Sequence, residues 1–362
     1  MQKELFLKQL AELVKIPTLS SDAPQLSQAL ALIESWADDS CQKKLITNGK
    51  AQILLLGNGD LFHPDVGYLV HVDVVQAKPE QFNMTQEGNT LRGRGVSDMK
   101  FSIPIGVELL NQATREGHKE TITVAITTDE EVGGEEGGKH LAKDLEFRPK
   151  VLIVPDGGDG LELINKTKGV AHVWVEAEGQ PAHASQPWLG SNALTPLVRL
   201  AGSLLDRYDK NSSQKNWNTT LNIGQIVGGT SVNQVCPQAV LKLDFRFPET
   251  RSVEGILSEV EQLAAKIGPM LKVSLSASGD PTYTDVNSGV IRKLMQAAKK
   301  VIGKKLPVKG EYGASDARFW ANYKIPIIVT KPEGGSIHSD DEWVDLESCL
   351  KFYELMWTYI NT

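Results

Sequence analysis

The runs of apolar residues at 53–56, 68–70, 122–126 and 151–154 set the strongest limit on what this chain folds into. Each is too short for a helix and is bounded by Gly, Asp, Pro or Thr, so each reads as a strand buried on both faces. Around them, apolar residues recur at helical spacing: Leu5, Leu10, Leu13 and Val14 before Pro17, then Leu26, Leu30, Ile33 and Trp36. Residues 103–113 and the stretch around Leu141 carry the same period. Strands alternating with helices predict an α/β fold with a mostly parallel sheet covered on both faces.

After about Lys168 the texture changes. Residues 170–177 alternate polar and apolar, the period of a half-exposed strand. A helical stretch follows at 192–208, then alternating segments at 220–226 and 239–247, a helix at 253–267 and a strand at 271–275. Strand-helix-strand-strand-helix-strand is the split βαβ, ferredoxin-like pattern. Past Pro281 the α/β texture returns, with helices at 290–301 and 346–360 and a strand at 325–330. A chain of 362 residues exceeds what one core usually takes. The predicted organisation is therefore a catalytic domain, residues 1–168 and 282–362, interrupted by an inserted α+β domain at 169–281.

Composition removes several function classes. Lys and Arg number 38 against 45 Asp and Glu, a net charge of -7, which argues against a nucleic-acid partner. No apolar run approaches the ~18 residues of a membrane helix, so no membrane partner is expected. The opening MQKELFLKQLAELVKIP mixes acids and bases through an amphipathic pattern and does not read as a signal peptide. Cys41, Cys236 and Cys349 show no C-x-x-C spacing, which predicts free thiols and a cytoplasmic location.

The residues suited to chemistry all follow predicted strands. In open α/β sheets, ligands bind outside the carboxyl ends of the strands. His71 and Asp73 share a side in VHVD, so Asp73 could fix the His71 ring while the imidazole binds a metal; a surface histidine beside an aspartate is the bland alternative. Asp98 lies in RGRGVSDMK and could equally cap the next helix. Asp129, Glu130 and Glu131 stand together in TTDEEVGGEEGG, where mutual repulsion calls for a cation unless the turn is simply solvated. Asp156 closes VLIVPDGGDG, and His338 sits in SIHSDDEW. Imidazole and carboxylate without thiolate suit zinc, cobalt or manganese. Two ions sharing one ligand would leave open positions for water and substrate. H-E-x-x-H, G-x-G-x-x-G and the P-loop pattern are absent, so a zincin, a dinucleotide enzyme and an NTPase have no support.

The stretches HVDVV, LRGRGVSDMK, TTDEEVGG, VPDGG, GQPAHASQPWLGSNAL, GGTSVNQVCP with DFRFP, GASDARF and IHSDDEW span most of the chain. In that order and spacing they resemble the co-catalytic zinc exopeptidase and deacylase family, which includes desuccinylases, deacetylases and glutamate carboxypeptidases. The resemblance implies two divalent ions, zinc first and cobalt or manganese next, held by His71, Asp98, Glu131, Asp156 and His338, with Asp98 bridging. It makes Glu130 the general base and Asp73 the partner of His71, and it implies a cis peptide at Asp98–Met99. His183, in AHAS, would donate to the tetrahedral oxyanion across a homodimer built by the inserted domain. Asn233, Arg246, Arg318 and Gly334 would contact the substrate, a small peptide or N-acyl amino acid with a free carboxylate; Arg246 and Arg318 could instead pair with Asp244 and Asp316. The chain departs from the family at Val70, at Phe101 and Ser102, and at KPEGGS, which replaces a glycine-proline-glycine approach to the last histidine. The rival functions are a non-catalytic binding protein on the same fold and a two-metal phosphoesterase.

Overall fold

A computed structural model describes residues 1–362 and divides into two compact units. The first comprises Met1–Asn165, Tyr283–Glu311 and Ser315–Thr362; the second comprises Lys166–Thr282 with Tyr312–Ala314. The first unit opens with α1 (Lys3–Val14), α2 (Ala23–Trp36), β1 (Gln42–Asn48), β2 (Ala51–Gly57) and β3 (Val66–His71). It continues through β4 (Thr85–Glu87), β5 (Thr90–Arg92), α3 (Ser102–Arg115), β6 (Ile122–Thr127), α4 (Gly138–Lys143), β7 (Val151–Val154) and β8 (Leu163–Thr167), whose last two residues belong to the second unit. The second unit supplies β9 (Gly169–Glu178), α5 (Leu194–Ser212), β10 (Thr220–Gly228), β11 (Gln238–Phe247), α6 (Val253–Ile267) and β12 (Leu271–Gly279). The chain then returns to the first through α7 (Gly289–Ile302), β13 (Val308–Glu311), β14 (Ile327–Val329), β15 (Gly334–Gly335), β16 (Trp343–Asp345) and α8 (Leu346–Ile360).

The large sheet of the first unit runs β1-β2-β6-β3-β7-β14-β8-β13. Its centre, β6-β3-β7-β14, is parallel, so those strands finish on one edge. The flanks are antiparallel: β1 pairs with β2 through a turn at Gly49–Lys50, and β8 pairs with β14. Gly49 holds φ 56°, the left-handed conformation that such a hairpin turn asks of glycine. Side chains alternate between faces along each strand. Leu54, Leu56, Tyr68, Val70, Val124 and Ile126 meet residues of α1, α2, α3, α7 and α8. Ile53, Leu55, Leu69, Ala125 and Leu152 meet Leu141 of α4 and Trp320 on the other side. Burial on both faces is why these strands read as unbroken apolar runs. A further small sheet orders β15-β16-β5-β4.

In the second unit the sheet order is β10-β11-β9-β12, with every neighbouring pair antiparallel. That is the split βαβ arrangement its alternating sequence predicts. Ala171, Val173, Val175 and Ala177 of β9 cluster with Leu197, Leu200 and Leu204 of α5 and with Ile256 and Val260 of α6. No helix in the chain is long and apolar enough to cross a membrane.

Candidate metal centre

The carboxyl edge of the parallel strands carries the chemistry. His71 is the last residue of β3, and its ring is fixed from behind. Nδ1 lies 3.0 Å from the Asp73 carbonyl oxygen and 3.4 Å from Asp73 Oδ1. The Asp73 carboxylate, fully buried, also accepts from Ser20 Oγ at 2.7 Å and from the backbone N–H groups of Glu130 and Glu131 at 3.3 and 3.1 Å. One aspartate thus orients the imidazole and sets the acidic turn after β6, as partners behind metal ligands do.

Asp98 sits between the two histidines. Its Oδ1 is 3.2 Å from His71 Nε2, and its Oδ2 is 3.2 Å from His338 Nε2. His338 Nε2 also lies 3.1 Å from Glu131 Oε2. Two groups result, His71–Asp98–Asp156 and Asp98–Glu131–His338, each with ligand atoms within 4.8 Å of one another. Asp98 belongs to both. The Asp98–Met99 peptide is cis.

The Asp98 loop is held by Glu342, a residue that no strand-end argument singles out. Its carboxylate accepts from the N–H groups of Gly95, Ser97 and Asp98 at 3.0, 2.9 and 3.1 Å. Arg94 adds a buried ion pair at 2.8 Å. The sequence signal was present in the same SIHSDDEW segment as His338, where acids crowd beside a ligand. Lys100 completes the support: it is buried, and its ammonium donates to the carbonyls of Leu13 and Ile16 at 3.2 and 2.9 Å.

Electrostatics show a cluster short of positive charge. Burial pushes Glu131 up to about 7 and Asp156 up to about 6, and the Asp98 charge adds to both. Burial likewise raises Glu130 well above the carboxylate range, reinforced by Asp316, Asp156 and Asp98 and opposed by His71. Asp98 moves the other way; burial opposes its ionisation, but hydrogen bonds from His338 and His71 outweigh it. His338 is pushed up to about 8 by its hydrogen bond to Asp98. Nitrogen and carboxylate donors in this number, with too many negative charges for their burial, fit divalent ions.

Other residues expected at the site have different surroundings. Arg318 donates to the Gly133 carbonyl at 2.8 Å and lies 3.6 Å from Asp316 and 4.0 Å from Glu130, so its guanidinium is engaged by the acidic turn. Gly334 gives its N–H to Asp159 at 3.2 Å, and a Cβ there would come within 2.6 Å of Ser97 Oγ. Packing against Ser97 therefore requires a glycine at this position. In the second unit, the backbones of His183 and Gln234 pair, which sets His183 beside Asn233. His183 Nδ1 meets Ser185 Oγ at 2.8 Å. Arg246 is gripped by Asp244, with Nε and Nη2 at 2.8 and 3.1 Å from its two oxygens.

Two candidate ligand groups joined through Asp98 at the strand ends, with Glu130 in the same cluster, are an arrangement that metal-dependent hydrolases use. Residues 67–362 match the model of peptidase family M20/M25/M40, and the chain belongs to this family of amide-bond hydrolases. It is 26% identical over 351 residues to the succinyl-diaminopimelate desuccinylase of Nitrosomonas eutropha, covering 88% of this chain and 92% of that one. The desuccinylase of Bordetella petrii is 28% identical over 357 residues, with 93% and 92% covered. Among solved structures, the fold is shared by a Sulfolobus solfataricus M20 metallo-carboxypeptidase, with TM-score 0.79, 15% identity and 98% of each chain covered. A Staphylococcus aureus tripeptidase gives 0.75 at 20% identity over 99% and 98%.

Proposed function

We propose that this protein uses two divalent ions, zinc or else cobalt or manganese, to hydrolyse the amide bond of an N-acyl amino acid or small peptide bearing a free carboxylate. The observation that carries this reading is the sharing of Asp98 between two ligand groups with Glu130 beside them. His71, Asp98 and Asp156 would hold one ion, and Asp98, Glu131 and His338 the other. When bound, such ions acidify a water and polarise a carbonyl oxygen. Glu130 takes the proton of the attacking water and returns it to the leaving amine. Its turn is braced by Asp73 and by Arg318, which we assign to that support rather than to substrate.

The second unit supplies the remaining parts of the proposal. His183 would donate to the developing oxyanion, in trans from a partner chain, and Asn233 beside it would contact the substrate. Arg246 would receive the substrate carboxylate. It lines a cavity of about 290 Å³ with Lys168 and Tyr312, which supports that role despite its pairing with Asp244. The homodimer is supported by the open edge strand β10, which exposes Ile226 and Val227. Three free buried cysteines support a cytoplasmic location.

The test is a panel of N-succinyl, N-acetyl and dipeptide substrates, plus nitrophenyl phosphate, under zinc, cobalt and manganese. We expect hydrolysis of at least one amide, abolished by a chelator. Cleavage of the phosphate ester alone would establish the phosphoesterase reading, and metal binding without turnover of any compound would establish a binding protein.

A further inference from the structure

Three lysines of this chain are buried, and they differ in one respect. Lys100 donates to two carbonyls, and Lys168 donates to the Asn218 carbonyl at 2.6 Å. Lys331, only 9% exposed, has no such partner, and no carboxylate stands within ion-pair distance of its ammonium. Its stem is buried while its ammonium is not among the sealed polar atoms, so the charge is held in place by packing rather than by a hydrogen bond and stays open to a partner that arrives from solvent.

Its position says what that partner meets. Lys331 follows β14, which pairs in parallel with β7, the strand that leads to Asp156. Its carbonyl is tied to the Leu161 N–H at 2.9 Å, and Pro332 restricts its backbone to extended conformations, so the root of the side chain is fixed. The positive charge acts on Asp98 and Asp156, favouring the ionised form of both. Ions held by Asp98 and Asp156 would offset the two carboxylates that Lys331 acts on, leaving its ammonium available to a group from outside the chain.

We propose that Lys331 is a specificity-determining residue that receives a carboxylate of the substrate beside the His71–Asp98–Asp156 group. This rests on the amide hydrolysis proposed above. A lysine suits the task because its ammonium is a point donor that adapts to one carboxylate oxygen, while a neutral acyl chain would leave it unpaired. The preferred substrate therefore carries a carboxylate on one side of the scissile amide, either on the acyl group or on the amino acid.

The experiment compares wild type, Lys331→Met and Lys331→Arg on N-succinyl-alanine, N-succinyl-alaninamide, N-butanoyl-alanine and N-butanoyl-alaninamide, with metal content measured for each protein. Lys331→Met should keep both metal equivalents and raise KM about ten- to a hundredfold, the range of a charge-assisted hydrogen bond, only for substrates bearing the recognised carboxylate. Lys331→Arg should recover part of that loss. A KM effect that follows the succinyl carboxylate assigns Lys331 to the acyl side, and one that follows the alanine carboxylate assigns it to the amine side. An equal loss on all four compounds, with metal lost as well, overturns the proposal and leaves Lys331 as a counter-charge to Asp98 and Asp156. A wild-type enzyme that binds metal yet cleaves none of these four and no N-acetyl or dipeptide substrate refutes the hydrolysis reading itself, and the assignment falls with it.

Discussion

The two ligand groups that share Asp98 are built differently. His71 ends a central strand, is 2% exposed and is held from behind by Asp73. Asp156 follows the neighbouring parallel strand, so this group is set by the sheet itself. The other group hangs on loops. Glu131 lies in a single 3₁₀ turn, and His338 is 49% exposed with φ 63°, a strained left-handed backbone for a histidine. A group on regular elements arrives preorganised, whereas one on loops is completed by its ions. The first should therefore bind its ion more tightly, and the second should open more readily.

The largest effect is expected where both groups act together. Glu130→Gln should lower kcat by about two to four orders of magnitude while both metal equivalents remain. Near-wild-type turnover would remove Glu130 from the base role.

Next comes the support of the shared ligand. Glu342→Ala strips a buried partner from Arg94 and from three backbone N–H groups, and should cost about 3–5 kcal/mol in denaturant unfolding. Because Asp98 serves both groups, both ions should weaken together. Loss of one ion alone would show that the halves are supported separately.

Removing ligands sharpens the contrast. His71→Ala and His338→Ala should each lose one metal equivalent by elemental analysis, and stepwise chelation of the wild type should take the His338 ion first. Asp73→Asn should weaken the His71 ion most, by ~10–100-fold, and the other ion less, through the Glu131 N–H from which Asp73 accepts. Simultaneous loss of both ions at every chelator concentration would contradict the distinction.

The smallest effect is in pH. His338 is raised to about 8 and Glu131 to about 7, so below those values each holds a proton that an ion must displace. Affinity at that group should fall as pH drops from 8 to 7, by about tenfold per proton released. Calorimetry in buffers of different ionisation enthalpy reads the protons directly. Affinity constant across that interval would mean that His338 and Glu131 are already unprotonated before loading.

The same contrast explains what could be read from the sequence. Strands β2, β3, β6 and β7 were legible because burial on both faces leaves an unbroken apolar run. Strand β1, QKKLITN, is a largely exposed flank with no such run, and the sequence reading passes over it. The 3₁₀ segment Asp316–Tyr323, which buries Trp320, was equally silent because its contacts are tertiary rather than periodic. At the site, the residues at strand ends were readable from position, but their grouping around two ions came from the family resemblance. Glu342 was passed over although it lies in the SIHSDDEW stretch, because its partners are backbone N–H groups 244–247 residues away and crowded acids alone do not single it out.

That long-range clasp also has a meaning in time. A ribosome delivers His71, Asp98, Glu131 and Asp156 well before His338 and Glu342. Until the later segment emerges, the Asp98 loop lacks the carboxylate that gathers its N–H groups, and the outer group lacks its histidine. A nascent chain therefore carries most of the acids without the finished cage. The group that includes His338 would therefore be completed only after residues 338–342 have emerged, and a chain broken off before residue 338 would lack both the clasp and that histidine.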